Sequence, residues 1–324
     1  MTARAALAAI SAALALLLAA SCPAGDKVTR IGLLTRMLPN PSLTGAFQEG
    51  LRELGYVEGK NIVVDTRNSI GSDEELLALA AELVSSKVDV IVSESTPATR
   101  AALAATKTIP IVFAAVGDPV GTGLIESLAR PGANATGVSI LNTELNSKRL
   151  DLLHQLAPSA RHVVLVNDYG NPSVRVGIGP LQALAKTLGI RLELLDVRSP
   201  GGVDSALRSA AWKSADAVQM GAGMFFIGQG AKIAQDMRAS RRPAIFPYRE
   251  YHDFGVLMSY GVDLKAVFRR AAYYVDRILK GAKPSELPVE QISKFDLVID
   301  LRVAREQGIK VPQELLYRAD EVIR

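Results

Sequence analysis

From residue 28 onward the chain switches between two hydrophobic periods in strict turn, and this alternation limits the folds open to it. Short apolar runs such as "VTRIGLLT" (28–35), "NIVVDTR", "VDVIVS" and "IPIVFAA" (109–115) have the length and β-branched content of buried strands. Between them lie amphipathic stretches. In "LTGAFQEGLRELG" (43–55), Leu43, Phe47, Leu51 and Leu54 fall on one helical face. "DEELLALAAELVSS" carries acidic residues in its first turn and Ser72 as its expected N-cap. After residue 140 a second series begins: helix "NSKRLDLLHQLA", strand "HVVLVND", helix "GPLQALAKTLG", strand "RLELLDV", helix "GVDSALRSAA", strand "ADAVQMG", helix "IGQGAKIAQDMRAS", strand "PAIFPY". Strands alternating with helices make parallel sheets covered on both faces. Two such series predict an α/β protein of two doubly wound parallel-sheet lobes. The Gly-, Asn- and Pro-rich stretches 129–139 and 248–261 are read as the joins between them.

The ends of the strands are where a ligand belongs. Open parallel sheets bind outside the carboxyl ends of their strands, and two lobes facing each other there form a cleft that can close by hinging. After "VDVIV" comes "SESTP", where Ser95, Thr96 and Pro97 stand at a strand-to-helix turn. Two readings apply: Ser and Thr cap the helix with Pro97 at its first position, or the helix start holds a polar group of a ligand. Asp118 follows the next strand and either meets a ligand ammonium or caps a helix starting near residue 120. Asp168 and Tyr169 end a second-lobe strand, with an Asx-turn as the alternative. Aromatic residues are only 5% of the chain, yet Phe225, Tyr248 and Tyr260 fall at strand ends, where they suit either a flat ligand or hinge packing. Glu250 and Arg249 lie in the same segment as Tyr248.

The first 21 residues follow another pattern. Arg4 precedes "AALAAISAALALLLAA", an apolar stretch without acidic residues that ends in small ones, as an export signal does. No later stretch reaches the ~20 apolar residues of a membrane helix. Cys22, the only cysteine, follows "LLLAAS"; it is either a lipidation site or lies beside an ordinary cleavage point near Ala24. The expected product is exported, to the periplasm or the outer face of the inner membrane, with a tether through Cys22 if that residue is acylated.

Composition and motifs narrow the function. The formal charge of +4 is spread without a basic stripe, so no nucleic acid is expected. No HExxH, CxxC, GxSxG or P-loop pattern occurs, and "GAGMFFIG" has Phe226 where a dinucleotide fingerprint needs its third glycine. His154, His162 and His252 do not cluster in sequence. No cofactor, metal or catalytic residue is expected.

Three longer stretches, "GLRELGYVEGKNIVV", "IPIVFAAVGDPVGTGLIESLARPGANATGVS" and "GVDLKAVFRRAAYYVDRILKGAKPSELPVEQ", resemble the ABC-transporter substrate-binding proteins of the tryptophan-transporter type, which are similar in fold to the leucine/isoleucine/valine-binding, type I periplasmic binding proteins. The resemblance implies a monomeric receptor, not an enzyme, that captures an amino acid, aromatic compound or other carboxylate between its lobes and delivers it to the membrane subunits of an ABC permease. An enzyme using the cleft, or a ligand-sensing domain, is the alternative. The resemblance implies lobe 1 from residues 27–139 plus about 255–290, and lobe 2 from 140–254 plus about 291–324. "SESTP" resembles the family's ligand loop and "VGDP" a second cleft loop. At "GVDLK", Leu264 stands where the family pattern has an aromatic residue.

Overall fold

A computed structural model describes residues 28–324 apart from Leu38 and Gly71. The export signal and Cys22 lie outside the described residues. Among these, no helix is long and apolar enough to cross a membrane.

The first sheet has strands β1 (Thr29–Thr35), β2 (Ile62–Asn68), β3 (Val90–Glu94), β4 (Ile111–Val116), β5 (Ala135–Ser139) and β11 (Glu290–Gln291), in the order β11-β5-β4-β3-β1-β2. The second has β6 (His162–Asn167), β7 (Arg191–Asp196), β8 (Ala217–Met220), β9 (Ala244–Phe246), β10 (Met258–Gly261), β12 (Asp296–Asp300) and β13 (Glu321–Ile323), in the order β13-β12-β10-β9-β8-β6-β7. Every pairing is parallel except β10 with β12. That exception has a topological cause. β10 ends and β12 begins at the hinge side, with Gly261 opposite Asp296, so a chain returning from the first lobe must run down where β10 ran up.

The chain crosses between lobes after Ser139, after Gly261 and after Gln291. A return to the first lobe was expected from about residue 255. Instead β10 stays in the second sheet, and the crossing falls between Gly261 and helix Leu264–Leu279. That helix packs on helix Pro41–Glu53 of the first lobe. Its buried residues Leu264, Val267, Phe268, Ala271, Ala272, Val275 and Ile278 keep the three- and four-residue spacing of a single face. The two helices approach so closely that a Cβ on Gly50 would stand 3.0 Å from that of Ala272.

The stretch 129–139, read as a join, contains β5, an inner strand of the first sheet. Thr136 and Ser139 break its apolar run, and Gly137 takes φ +147 with the Phe113 carbonyl 2.1 Å from where a Cβ would sit. Only glycine fits there. No helix starts near residue 120; the segment after Asp118 is a series of turns. The largest apolar cluster runs without a break from Ile31 and Val92 in one lobe to Val164 and Phe246 in the other, so the lobes share a buried interface beside the hinge.

Candidate functional site

The strand order of each sheet reverses beside the cleft. In the first sheet β2 and β3 flank β1; in the second β7 and β8 flank β6. Chains leaving the two sides of such a point part, which opens a crevice between their loops. Arg36 follows β1, and Ser95 and Thr96 follow β3. Opposite them, Asp168 follows β6, and Ala222 to Phe225 follow β8. These residues, with Ala115, Gly117, Asn142, Asn171 and Ser173, line a narrow space between the lobes.

The lobes touch around this space. Arg36 Nη1 donates to Asp168 Oδ2 at 2.8 Å, and Nη2 donates to the Arg198 carbonyl at 3.3 Å. Gly117 approaches the second lobe so closely that a Cβ there would stand 2.9 Å from Ser173 Oγ. Asn171 caps helix Pro172–Val176 and accepts from both the N–H and the hydroxyl of Ser173. Asp168 Oδ1 accepts from the Gly170 N–H. Burial raises the Asp168 carboxyl above its ordinary range, a tendency that Arg36 and the Gly170 N–H oppose.

The turn after β3 is built differently from a helix cap. Helix Ser95–Ala105 begins at Ser95, so Pro97 is its third residue and not its first. Ser95 holds φ +75, outside the comfortable range of a side chain with a Cβ. Its Oγ and Thr96 Oγ1 are buried, and neither has a partner within the protein. No side-chain cap bond closes this helix. A buried hydroxyl left unpaired costs about 1–3 kcal/mol, and strain of this kind concentrates at binding sites. Just before them, Glu94 is fully buried, with Oε2 accepting the Arg36 N–H at 3.1 Å and Oε1 unpartnered. Desolvation lifts its carboxyl to about 7.

The structure therefore brings together Ser95, Thr96, Asp168 and Phe225 among the residues singled out in sequence. Tyr248 stands just behind the wall: it is buried, and its hydroxyl donates to the carbonyl of Ala222. Five others do not line the space. Asp118 caps its own turn by accepting the Gly121 N–H. Tyr169 turns into the second lobe, donating to the Leu165 carbonyl. Glu250 accepts the Leu264 N–H at the hinge. Tyr260 packs beside Phe295. Arg249 pairs with Glu321 at the surface.

Arg36 and Asn142 were not singled out. Arg36 could have been found by applying the strand-end argument to "IGLLTR". Asn142 carries no local signal; it enters because helix Asn142–Leu156 starts at the first crossing. A second unexpected cation, Arg149, is fully buried on that helix and donates to the carbonyls of Tyr260 and Pro247 and to Asn146 Oδ1; burial lowers it to about 10. Among the described residues there is no His, Cys, Asp and Glu grouping fit to hold a metal ion.

Comparison with known proteins places these features in context. The family model of ABC transporter substrate binding proteins matches residues 36–323. The tyrosine-binding protein of Clostridioides difficile (strain R20291) is 27% identical over 278 residues, covering 85% of this chain and 79% of that protein. A conserved domain protein from Vibrio cholerae superposes with a TM-score of 0.83 at 28% identity, over 91% of this chain and 100% of the other. An ABC domain from Streptococcus pneumoniae in complex with L-Trp gives 0.81 at 27% identity, over 91% and 99%.

Proposed function

The chain belongs to the ABC transporter substrate-binding protein family, whose members bind a solute for delivery to an ABC transporter, and from that premise we propose that its solute is an amino acid with an aromatic side chain, held by Ser95 and Thr96. The observation that carries this reading is the pair of buried, unpartnered hydroxyls on adjacent residues of a strained helix start. Hydroxyls and backbone N–H groups at a helix N-terminus suit a carboxylate. Across the cleft, Met224 and Phe225 offer an apolar wall for a flat side chain. The relatives described as tyrosine-binding and as bound to L-Trp support the same solute class. Asp168 acts on closure of the lobes. Phe225 contacts the solute side chain, and Tyr248 supports the wall from behind.

We assign no chemical step to the cleft: the solute leaves as it arrived, and the chain acts as a monomer. Export is driven by residues 1–21, with Cys22 as the acylated first residue of the mature chain. Intact-mass measurement of protein taken from the native envelope checks this, and retention of Met1 would refute it.

The direct test is a thermal-shift screen of the mature protein against the common amino acids and aromatic acids, followed by calorimetry. A solute that binds only the folded state raises the melting temperature, by the equivalent of about 2.7 kcal/mol at one hundred times its Kd. L-tyrosine and L-tryptophan are expected to give the largest shifts. Shifts from aliphatic or sugar solutes alone would overturn the assignment.

A further inference from the structure

Glu94 ends β3 directly before the two lining hydroxyls, and its surroundings fix what its free oxygen can serve. The side chain is fully buried, Oε2 is occupied by the Arg36 N–H, and Oε1 has no partner. The Arg36 guanidinium does not neutralise it at close range, because it is turned to Asp168 on the opposite lobe. The other charged or titratable groups facing it are few. Tyr248, beyond β9, stays neutral with its ionisation pushed far up by burial. Asp168 is linked to it through Arg36. From β4 alongside, Ala114 brings no charge.

Glu94 does not itself line the ligand space but stands directly behind residues that do. Arg36, which it binds, and Ser95, which follows it, both line that space, and Tyr248, which senses its charge, is bonded to the lining residue Ala222. On the opposite wall Asn142 Oδ1 is a second buried acceptor without a partner. Unpaired acceptors close to unpaired hydroxyls call for a solute that both donates and accepts.

We propose that Glu94 is the specificity-determining residue that reads the primary ammonium of the solute, and that it releases a proton when that ammonium binds. The inference rests on the amino-acid reading above. In the empty protein, burial outweighs the backbone N–H and the charge of Arg36 and holds part of the population as the neutral acid, in keeping with a carboxyl raised to about 7. An arriving ammonium supplies the missing charge. The carboxylic O–H bond ionises, the proton passes to solvent, and the carboxylate accepts an N–H of the ammonium. Solutes with the same ring and carboxylate but no ammonium leave a buried carboxyl unpaired, and they are rejected.

The test compares L-tyrosine with 3-(4-hydroxyphenyl)propionate, which lacks only the ammonium, on wild type and on Glu94→Gln. Calorimetry is run from pH 5.5 to 8.5 in buffers of different ionisation enthalpy. Wild type should prefer tyrosine by about a hundredfold or more. Its affinity should rise with pH by up to about tenfold per unit below the Glu94 titration and then level off, with a fraction of a proton released near neutrality. Glu94→Gln should lose about 10- to 100-fold in tyrosine affinity at pH 8.5, and its pH slope should shrink to whatever Asp168 contributes. Tyrosine binding with no proton release, or with Glu94→Gln indistinguishable from wild type, would overturn the inference alone. Binding of neither compound to wild type would overturn the aromatic amino-acid reading and this inference with it.

Discussion

The guanidinium of Arg36 in the first lobe and the carboxylate of Asp168 in the second lie 2.8 Å apart, and together they form the wall between two spaces. On the inner side is the narrow ligand space; on the outer side is a groove lined by Ser72, Asp73, Gly170 and Arg198. Both residues are at least nine-tenths buried. A solute passing between these spaces has to part them.

Asp168→Asn should therefore release solute faster. The pair is buried, but Asn keeps an acceptor for the guanidinium, so the loss is set at about 2 kcal/mol, below the ~3–5 kcal/mol of a fully broken buried pair, or roughly thirtyfold in koff. Stopped-flow displacement measures it directly. The exchange Arg36→Asp with Asp168→Arg should recover part of the loss; an unchanged koff in Asp168→Asn would show that the pair does not hold the lobes together.

Removal of the lining hydroxyls separates binding from capping. Ser95→Ala and Thr96→Ala should each weaken solute binding by roughly 1 kcal/mol, and by up to about 3 where the solute group is charged. Neither hydroxyl bonds within the fold, so melting of the empty protein should not fall. A drop in stability of about 1 kcal/mol with intact affinity is the signature of a helix cap instead.

Gly117→Val tests closure. The new Cβ meets Ser173 of the other lobe, 2.9 Å from its Oγ, with Ser173 Cβ and Asn142 Cβ the next nearest atoms. Small-angle scattering should show a larger radius of gyration than wild type in the presence of solute, with a melting temperature close to normal. Compaction equal to wild type would mean that the lobes close along a different path.

The pH dependence of stability has a definite sign at the hinge. Burial raises the Glu250 carboxyl from 4.5 to about 7. A raised carboxyl contributes stability that is whole below its unfolded value and lost as pH climbs through the folded one. His252 works the other way: burial lowers it to about 4, so its share is present above 6.5 and lost on acidification. Above pH 7 only the carboxyl penalty remains of these two. Glu250→Gln, which keeps an acceptor for the Leu264 N–H, should then gain about 2 kcal/mol at pH 8 and little at pH 5. Equal denaturation midpoints at both pH values would count against this account.

Local pattern alone determined the two-lobe α/β plan. Strands β1, β3 and β4 and most of the second series are apolar runs long enough to be buried on both faces, and the intervening helices keep a 3.6-residue period, so each states its own structure. The position of Ser95 and Thr96 at a strand end also followed from local rules. What the chain could not state was anything that depends on a partner far along it. β5 was hidden because Gly137 is dictated by the Phe113 carbonyl, and β10 and β12 because their register is set by a crossing from the other lobe. Asp118 and Asp168 look alike in sequence, each a carboxylate after a buried strand. Asp118 binds back to Gly121 within its own turn, whereas Asp168 meets Arg36, 132 positions away. Periodicity records which face of an element is buried. It does not record which charge lies opposite, because that pairing is made only when the two lobes come together.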